Sequence, residues 1–295
     1  DGQVQPLGST GQRLKRNAQA LFNLAYLPNY TWASSAIVSL ETQIPIPMRS
    51  ERPPELGIND GNADAVLQRF SDDASYVAMF KQAFPGSPSG PTYNKIVFAL
   101  ASFLRTMTSF GSRYDLYLAG HTEALTAQEK RGLALFNGER LECFHCHSGR
   151  ALTTSYVDAT RAADDRPFVF FSNGIYNVGD AGTYPDIDHG LADATLNPRH
   201  EGLFRPPSLR NVAVTGPYMH DGSIPTLAAV VEHYNSGVLA HPNLDPRLRV
   251  PGTTTPRKLN LSAADSAALV SFLGTLTDQS LISDPAYANP FRNAQ

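Results

Sequence analysis

Apolar residues recur at three- and four-residue steps in five stretches of the chain, and these stretches predict its helices. Val66, Phe70, Tyr76, Val77, Phe80 and Phe84 predict a helix from Asp64 to about Phe84, stopped by Pro85-Gly86. A second begins near Thr92, where Ile96, Val97, Leu100, Phe103, Leu104 and Met107 form one continuous stripe, and this helix reads as core. Thr126-Ala127-Gln128-Glu129 is a capping box that opens a helix through Phe136. Thr226 caps another that carries Val230, Val231 and Tyr234. Ser262 with Asp265 opens the last, with Ala268, Leu269, Phe272, Leu273 and Leu276.

The segments between these helices read differently. Leu14 to Gly57, with Asn17, Asn23, Asn29 and a cluster of prolines, predicts loop with short helical turns. Residues 151–210 are rich in Asp, Gly, Pro and Asn and predict a long loop region wrapped over something buried, the kind of loop that usually serves a site. Strand signals are few and short, and no internal repeat is evident. The class is therefore mostly α.

A length of 295 residues allows about two domains, and a new unit starts near residue 111. The 42% hydrophobic and 17% charged composition is that of a globular chain, while a net charge of −3 argues against nucleic acid or an anionic membrane as the main partner. No run reaches the roughly 18 apolar residues of a membrane span. No intact signal peptide stands at Asp1, as in a secreted protein after cleavage. Gly and Pro, 22 of each, point to long connections between the helices.

The two cysteines, Cys143 and Cys146, are followed at once by His147 in Cys143-Phe144-His145-Cys146-His147. In such a C-x-x-C-H motif the thiols can add to the vinyl groups of a haem and the histidine then ligates its iron. A disulfide, a thioredoxin-like pair and half a zinc site are competing readings. Zinc needs two further ligands, yet the other histidines form no H-x(3–5)-H spacing. A thioredoxin pair follows a strand, whereas here a capped helix precedes the motif. Covalent haem is the favoured reading.

Leu209 to Ser236 is the second informative segment. Gly216-Pro217 and Asp221-Gly222 break it, and it includes Met219, His220 and the Thr226-capped helix. Together with Cys143–His147, Arg16-Asn17-Ala18, Trp32 and Pro54-Glu55-Leu56-Gly57, it closely resembles the bacterial di-haem cytochrome c peroxidase and MauG family, with its MauG- and MbnH-like members. The resemblance covers nearly the whole chain.

It implies two c-type cytochrome-like domains: residues 1–110, the peroxide-reacting unit, and residues 111–295, the unit bearing haem c. Family members carry two C-x-x-C-H motifs. The first has no counterpart here, so the second haem is expected from an upstream segment; a one-haem relative is the alternative.

The resemblance also implies roles. Cys143 and Cys146 anchor a haem and His147 is its proximal ligand. Tyr234 stands where peroxidases of the family have a methionine as the other axial ligand, and MauG looks the same here; Met219 is the fallback. A tyrosine that only packs is the plain alternative. Gln43 and Glu55 resemble the distal pair over the peroxide-binding iron, where a carboxylate can move a proton between the peroxide oxygens. Ser9 stands where some peroxidases have a distal histidine.

Trp32 matches an aromatic between the haems. Asn17, Thr215 and Pro217 resemble a calcium site of oxygen ligands, and Arg205 and Arg210 match partners of the haem propionates.

The expected function is peroxide-dependent oxidation in the periplasm or outside the cell. In the MauG-like version H2O2 drives oxidation of a protein partner through the Tyr234-ligated haem. In the peroxidase version a small redox protein supplies electrons. A one-haem electron carrier is the non-catalytic alternative.

Overall fold

A computed structural model describes residues 2–88, 90–159 and 169–290. Two short helices, α1 (Leu40–Gln43) and α2 (Pro45–Arg49), punctuate the first loop region. They are followed by α3 (Ala63–Asp72), α4 (Ala74–Ala83) and α5 (Tyr93–Thr106). The predicted helix from Asp64 to Phe84 is thus two helices. Asp73 is extended (φ −94°, ψ 111°) and its carboxylate accepts from the backbone N–H groups of Ser75 and Tyr76, capping α4. A side chain that offers this cap competes with helix continuation even where the apolar pattern runs on unbroken.

Helix α5 begins beside Thr92 as predicted, with Thr92 as its cap, but only part of its stripe is core. Ile96, Val97 and Ala101 are buried, whereas Leu100 and Phe103 are exposed. The N-terminal core packs Ile96, Val97 and Ala101 against Leu24, Tyr30, Leu40, Ile44, Met48 and Phe80.

Beyond it lie α6 (Arg113–Leu118), α7 (Ala127–Phe136), α8 (Ala192–Thr195), α9 (Leu227–Glu232), α10 (Ala263–Gly274) and α11 (Gln279–Ile282). The Thr126, Thr226 and Ser262 caps form as the sequence predicts, each side chain accepting an N–H three residues on. Helices α7 and α10 cross closely at Gly132, where a Cβ would stand 2.0 Å from the Ala268 carbonyl oxygen. Phe136, Leu269, Phe272, Leu273 and Leu276 build the second core there.

A third cluster of Ala33, Phe170, Tyr184, Leu191, Leu203 and Phe204 joins the N-terminal segment to the long loop region, with Trp32 against it. Among the described residues extended segments meet only as isolated bridges, such as Phe171 with Phe204. Residues 160–168 of the predicted long loop lie outside the described residues; the rest of 151–210 has only short helical turns.

A buried polar thread crosses the molecule. The Asn23 side chain exchanges hydrogen bonds with the backbone of Ser109 (2.8 and 3.1 Å), and the Ser109 hydroxyl meets the Asn211 amide at 2.9 Å. The Asn211 side-chain oxygen then accepts from the Asp278 N–H at 2.7 Å. Asn23, Ser109, Asn211 and Asp278 are all at most 3% exposed, so each bond replaces one that water cannot make.

Candidate haem site

Helix α7 ends at Phe136 and the chain turns through Gly138 into a short 3-10 turn, Cys143–His145. Residue Glu142 enters it in the left-handed region (φ 61°). This turn places Cys143, Cys146 and His147 on the wall of a large, mainly apolar cavity that Leu141, Leu227, Val231, Leu259 and Leu273 also line. Both cysteines are free, so the disulfide reading fails. Burial raises the Cys143 thiol to about 12 and the Cys146 thiol to about 11.

His147 Nδ1 lies 3.3 Å from the Leu152 carbonyl oxygen. A carbonyl can only accept, so the Nδ1 that faces Leu152 is a donor there, and the Pro207 carbonyl is a second acceptor beside the ring. Burial lowers this imidazole to about 4, so it is neutral at physiological pH, the state a metal ligand requires.

Tyr234 and Met219 line the same cavity. Tyr234 sits in a wide π-helical turn, His233–Gly237, that continues α9, an irregularity frequent at functional sites. Its hydroxyl is shifted upward by burial first, against a hydrogen bond from the Asn173 side chain that favours the anion. Asn173 Nδ2 also donates to the Met219 sulfur at 3.3 Å, and the Asn173 carbonyl accepts from His233 Nε2 at 3.0 Å.

The two arginines differ. Arg210, 1% exposed, makes a bidentate pair with Asp115 at 2.7 Å and donates twice more to the Arg150 carbonyl. Arg210 lines the cavity too, but its charge is balanced within the protein. Arg205, 3% exposed, bonds the Thr31 carbonyl and the Gln19 side chain, and no salt bridge to a carboxylate forms among the described residues. Burial alone lowers it to about 10. A buried cation at a cavity wall without an acidic neighbour fits a cavity that receives an anionic group.

Trp32 donates its indole N–H to the Asn17 carbonyl at 2.9 Å, and both line the cavity. The Asn17 amide donates to the carbonyls of Gln3 and Val4, which turns its side-chain oxygen away from them. Thr215 and Pro217 line the cavity too, so the three residues expected at a cation site share its wall.

Gln43 and Glu55 do not line this cavity. Gln43 ends α1 with a buried side-chain oxygen that lacks a hydrogen-bond partner. Glu55 is half-buried and its carboxyl is raised by burial. Ser9 stands beside it, its N–H donating to the Glu55 carbonyl at 2.8 Å.

Asn173 escapes the sequence reading, and His220, inside the Leu209–Ser236 segment, has no role assigned there. His220 is 4% exposed, stacks on Phe204 with ring centroids 3.7 Å apart and lines the cavity. Asn173 falls in the long loop region predicted over residues 151–210, and only the fold shows what its side chain touches.

The described residues thus fit a haem: two thiols, a buried neutral histidine, apolar walls and a buried cation. Residues 1–123 match the family model for di-haem cytochrome c peroxidase. The cytochrome-c peroxidase IdrP1 of Denitromonas iodatirespirans is 33% identical over 292 residues, 94% of this chain and 72% of that protein. The methylamine utilization protein MauG of Methylorubrum extorquens is 30% identical over 277 residues, 94% and 68% of the two chains. The crystal structure of a MauG-like protein associated with microbial copper homeostasis superposes with a TM-score of 0.90 at 38% identity, covering 99% of this chain and 84% of that one.

Proposed function

The chain belongs to the di-haem cytochrome c peroxidase family, haem-dependent oxidoreductases that use peroxide, and from that premise we propose that it works in the MauG manner. Peroxide drives the oxidation of a residue on a protein partner; Cys143, Cys146 and His147 would hold the haem and Tyr234 would offer it a phenolate oxygen. The observation that carries this reading is the shared cavity: Cys143, Cys146, His147 and a tyrosine line one apolar wall. The 38% identity to a MauG-like structure supports the same branch.

The haem supplies electron storage and transfer. The protein's own groups do the rest. His147 offers a ring nitrogen, its Nδ1 facing the Leu152 carbonyl. A phenolate from Tyr234 is a hard, anionic donor that favours oxidised iron, and Arg205 balances propionate charge. Glu55, whose carboxyl is raised by burial, takes a proton from one peroxide oxygen and returns it to the other; Gln43 orients the peroxide. Two electrons from the partner and two protons complete the conversion of H2O2 to two waters. Trp32, between the N-terminal segment and the cavity, relays electrons. Asn17, Thr215 and Pro217 hold calcium through oxygen atoms. Residues 1–110 form the peroxide-reacting unit and 111–295 the haem c unit, in the periplasm or outside the cell. Among the described residues no helix is long and apolar enough to cross a membrane.

A second reading, electron uptake from a small cytochrome, is favoured by Met219 on the same cavity wall. The test uses the natural holoprotein with H2O2, a candidate protein partner and a reduced small cytochrome. Partner oxidation detected by mass spectrometry, with little cytochrome oxidation, is the expected outcome; the reverse pattern establishes the peroxidase. Glu55→Gln should slow either reaction by about 10²–10⁴-fold and leave the spectrum of the Cys143/Cys146 haem unchanged. Full activity in that variant removes Glu55 from the reaction.

A further inference from the structure

Two side chains that could ligate iron, Tyr234 and Met219, line the cavity that holds His147. Position alone does not choose between them. We propose that Asn173 makes the choice, its amide holding the Met219 thioether away from the axial position and leaving that position to Tyr234. The inference rests on the reading of Tyr234 as a ligand and adds the residue that selects it.

Two bonds are made by Asn173, and its side chain also faces the Tyr234 hydroxyl. Its Nδ2 donates to the Met219 sulfur at 3.3 Å and its carbonyl accepts from His233 Nε2 at 3.0 Å, while its side chain acts on Tyr234 in the direction that favours the anion. The bond from His233 ties Asn173 to the π-helical turn that carries Tyr234.

An amide nitrogen has two hydrogens, enough to serve both neighbours, and the consequences differ. A thioether is a neutral, weak acceptor; an N–H on its sulfur occupies a lone pair and anchors a flexible side chain. A phenolate has more electron density and further lone pairs, so an N–H on its oxygen stabilises the anion that ligates.

The backbone of Met219 cannot substitute for a side-chain movement. Met219 has φ +72°, unusual for a residue with a side chain, inside a tight turn closed by the Tyr218–Ile224 bridge. That turn is pressed against the N-terminal segment at Gly222, where a Cβ would stand 2.3 Å from the Val4 carbonyl oxygen. Met219 can therefore reach the iron only by rotating its side chain, and rotation breaks its bond to Asn173.

The experiment compares ferric absorption, electron paramagnetic resonance and reduction potential of the holoprotein with those of Tyr234→Phe, Asn173→Leu, and the double variant. Tyr234→Phe alone should give a high-spin iron with an open position, because Asn173 still holds Met219. Adding Asn173→Leu should release the thioether and give a low-spin iron with a sulfur-to-iron charge-transfer band and a higher potential. A further Met219→Leu should abolish that band. Asn173→Asp keeps the shape, removes both N–H donors and should act in the same direction, which covers a folding defect in the Leu variant.

If Tyr234→Phe matches the parent, tyrosine ligation is wrong and the selection falls with it. If Tyr234→Phe changes the spectrum but the double variants add nothing, Tyr234 stands as the ligand and Asn173 is not the selector. A thioether band already present in Tyr234→Phe also overturns the proposal.

Discussion

Asp115 shows how a single carboxylate can matter to a wall it barely reaches. Burial would raise its carboxyl, but hydrogen bonds from Arg210 and Ser112 outweigh burial and hold it below its ordinary 3.8. A lowered native value means that the pair stabilises the fold fully above that ordinary pH and loses its contribution as pH falls through the native value. The Arg210 side chain is fully buried, so deleting its partner strands a charge. Asp115→Asn should therefore cost roughly 3–5 kcal/mol at neutral pH, read as a lower urea midpoint. The variant should also lose part of the parent's acid sensitivity below about pH 4, and equal acid profiles would argue that the pair contributes nothing.

At this scale the sequence discloses only what a motif encodes. Cys143, Cys146 and His147 are legible because thioether attachment demands one spacing. Arg205 and Arg210 are alike in sequence; only their neighbours separate the balanced charge from the unbalanced one. Asn173 is invisible for the same reason.

Among the elements, α7 decides where the haem motif sits, and its crossing with α10 decides where α7 sits. Gly132 is in mid-helix, where glycine weakens a helix by about 0.5–1 kcal/mol relative to alanine. It is tolerated because no Cβ fits against Ala268. Gly132→Ala should reverse the usual order, gaining helix propensity yet destabilising the protein by roughly 1–3 kcal/mol through overpacking. Thermal denaturation reads the sign directly; a higher midpoint would show that α10 yields freely.

Helix starts were well marked because Thr92, Thr126, Thr226 and Ser262 cap by local bonds that need no tertiary partner. The break at Asp73 was hidden because the apolar spacing stays in phase across it. The exposed Leu100 and Phe103 were hidden because periodicity names a face without naming what covers it.

For the molecule as a whole, the proposed calcium site would draw on residues 17, 215 and 217, far apart in sequence, on one wall. A ligand that binds only the native arrangement stabilises it by mass action. Exhaustive chelation should lower the thermal midpoint and the peroxide turnover together, and calcium should restore both; no change in either would remove the cation from the proposal. The polar thread was not legible in the sequence, since Asn and Ser in loops carry no signature of a distant partner.

That thread has a consequence in time. Its links join residues separated by 86, 102 and 67 positions, so the amide of Asn23 belongs to a sequence of bonds whose last member, Asp278, is made long after Asn23. Closing such wide loops is slow. Asn23 and Ser109 can answer each other as soon as both are made, but the Asn211 side-chain oxygen lacks its partner until synthesis has passed Asp278. The last link of the thread, inside the C-terminal half, is therefore the last that can close.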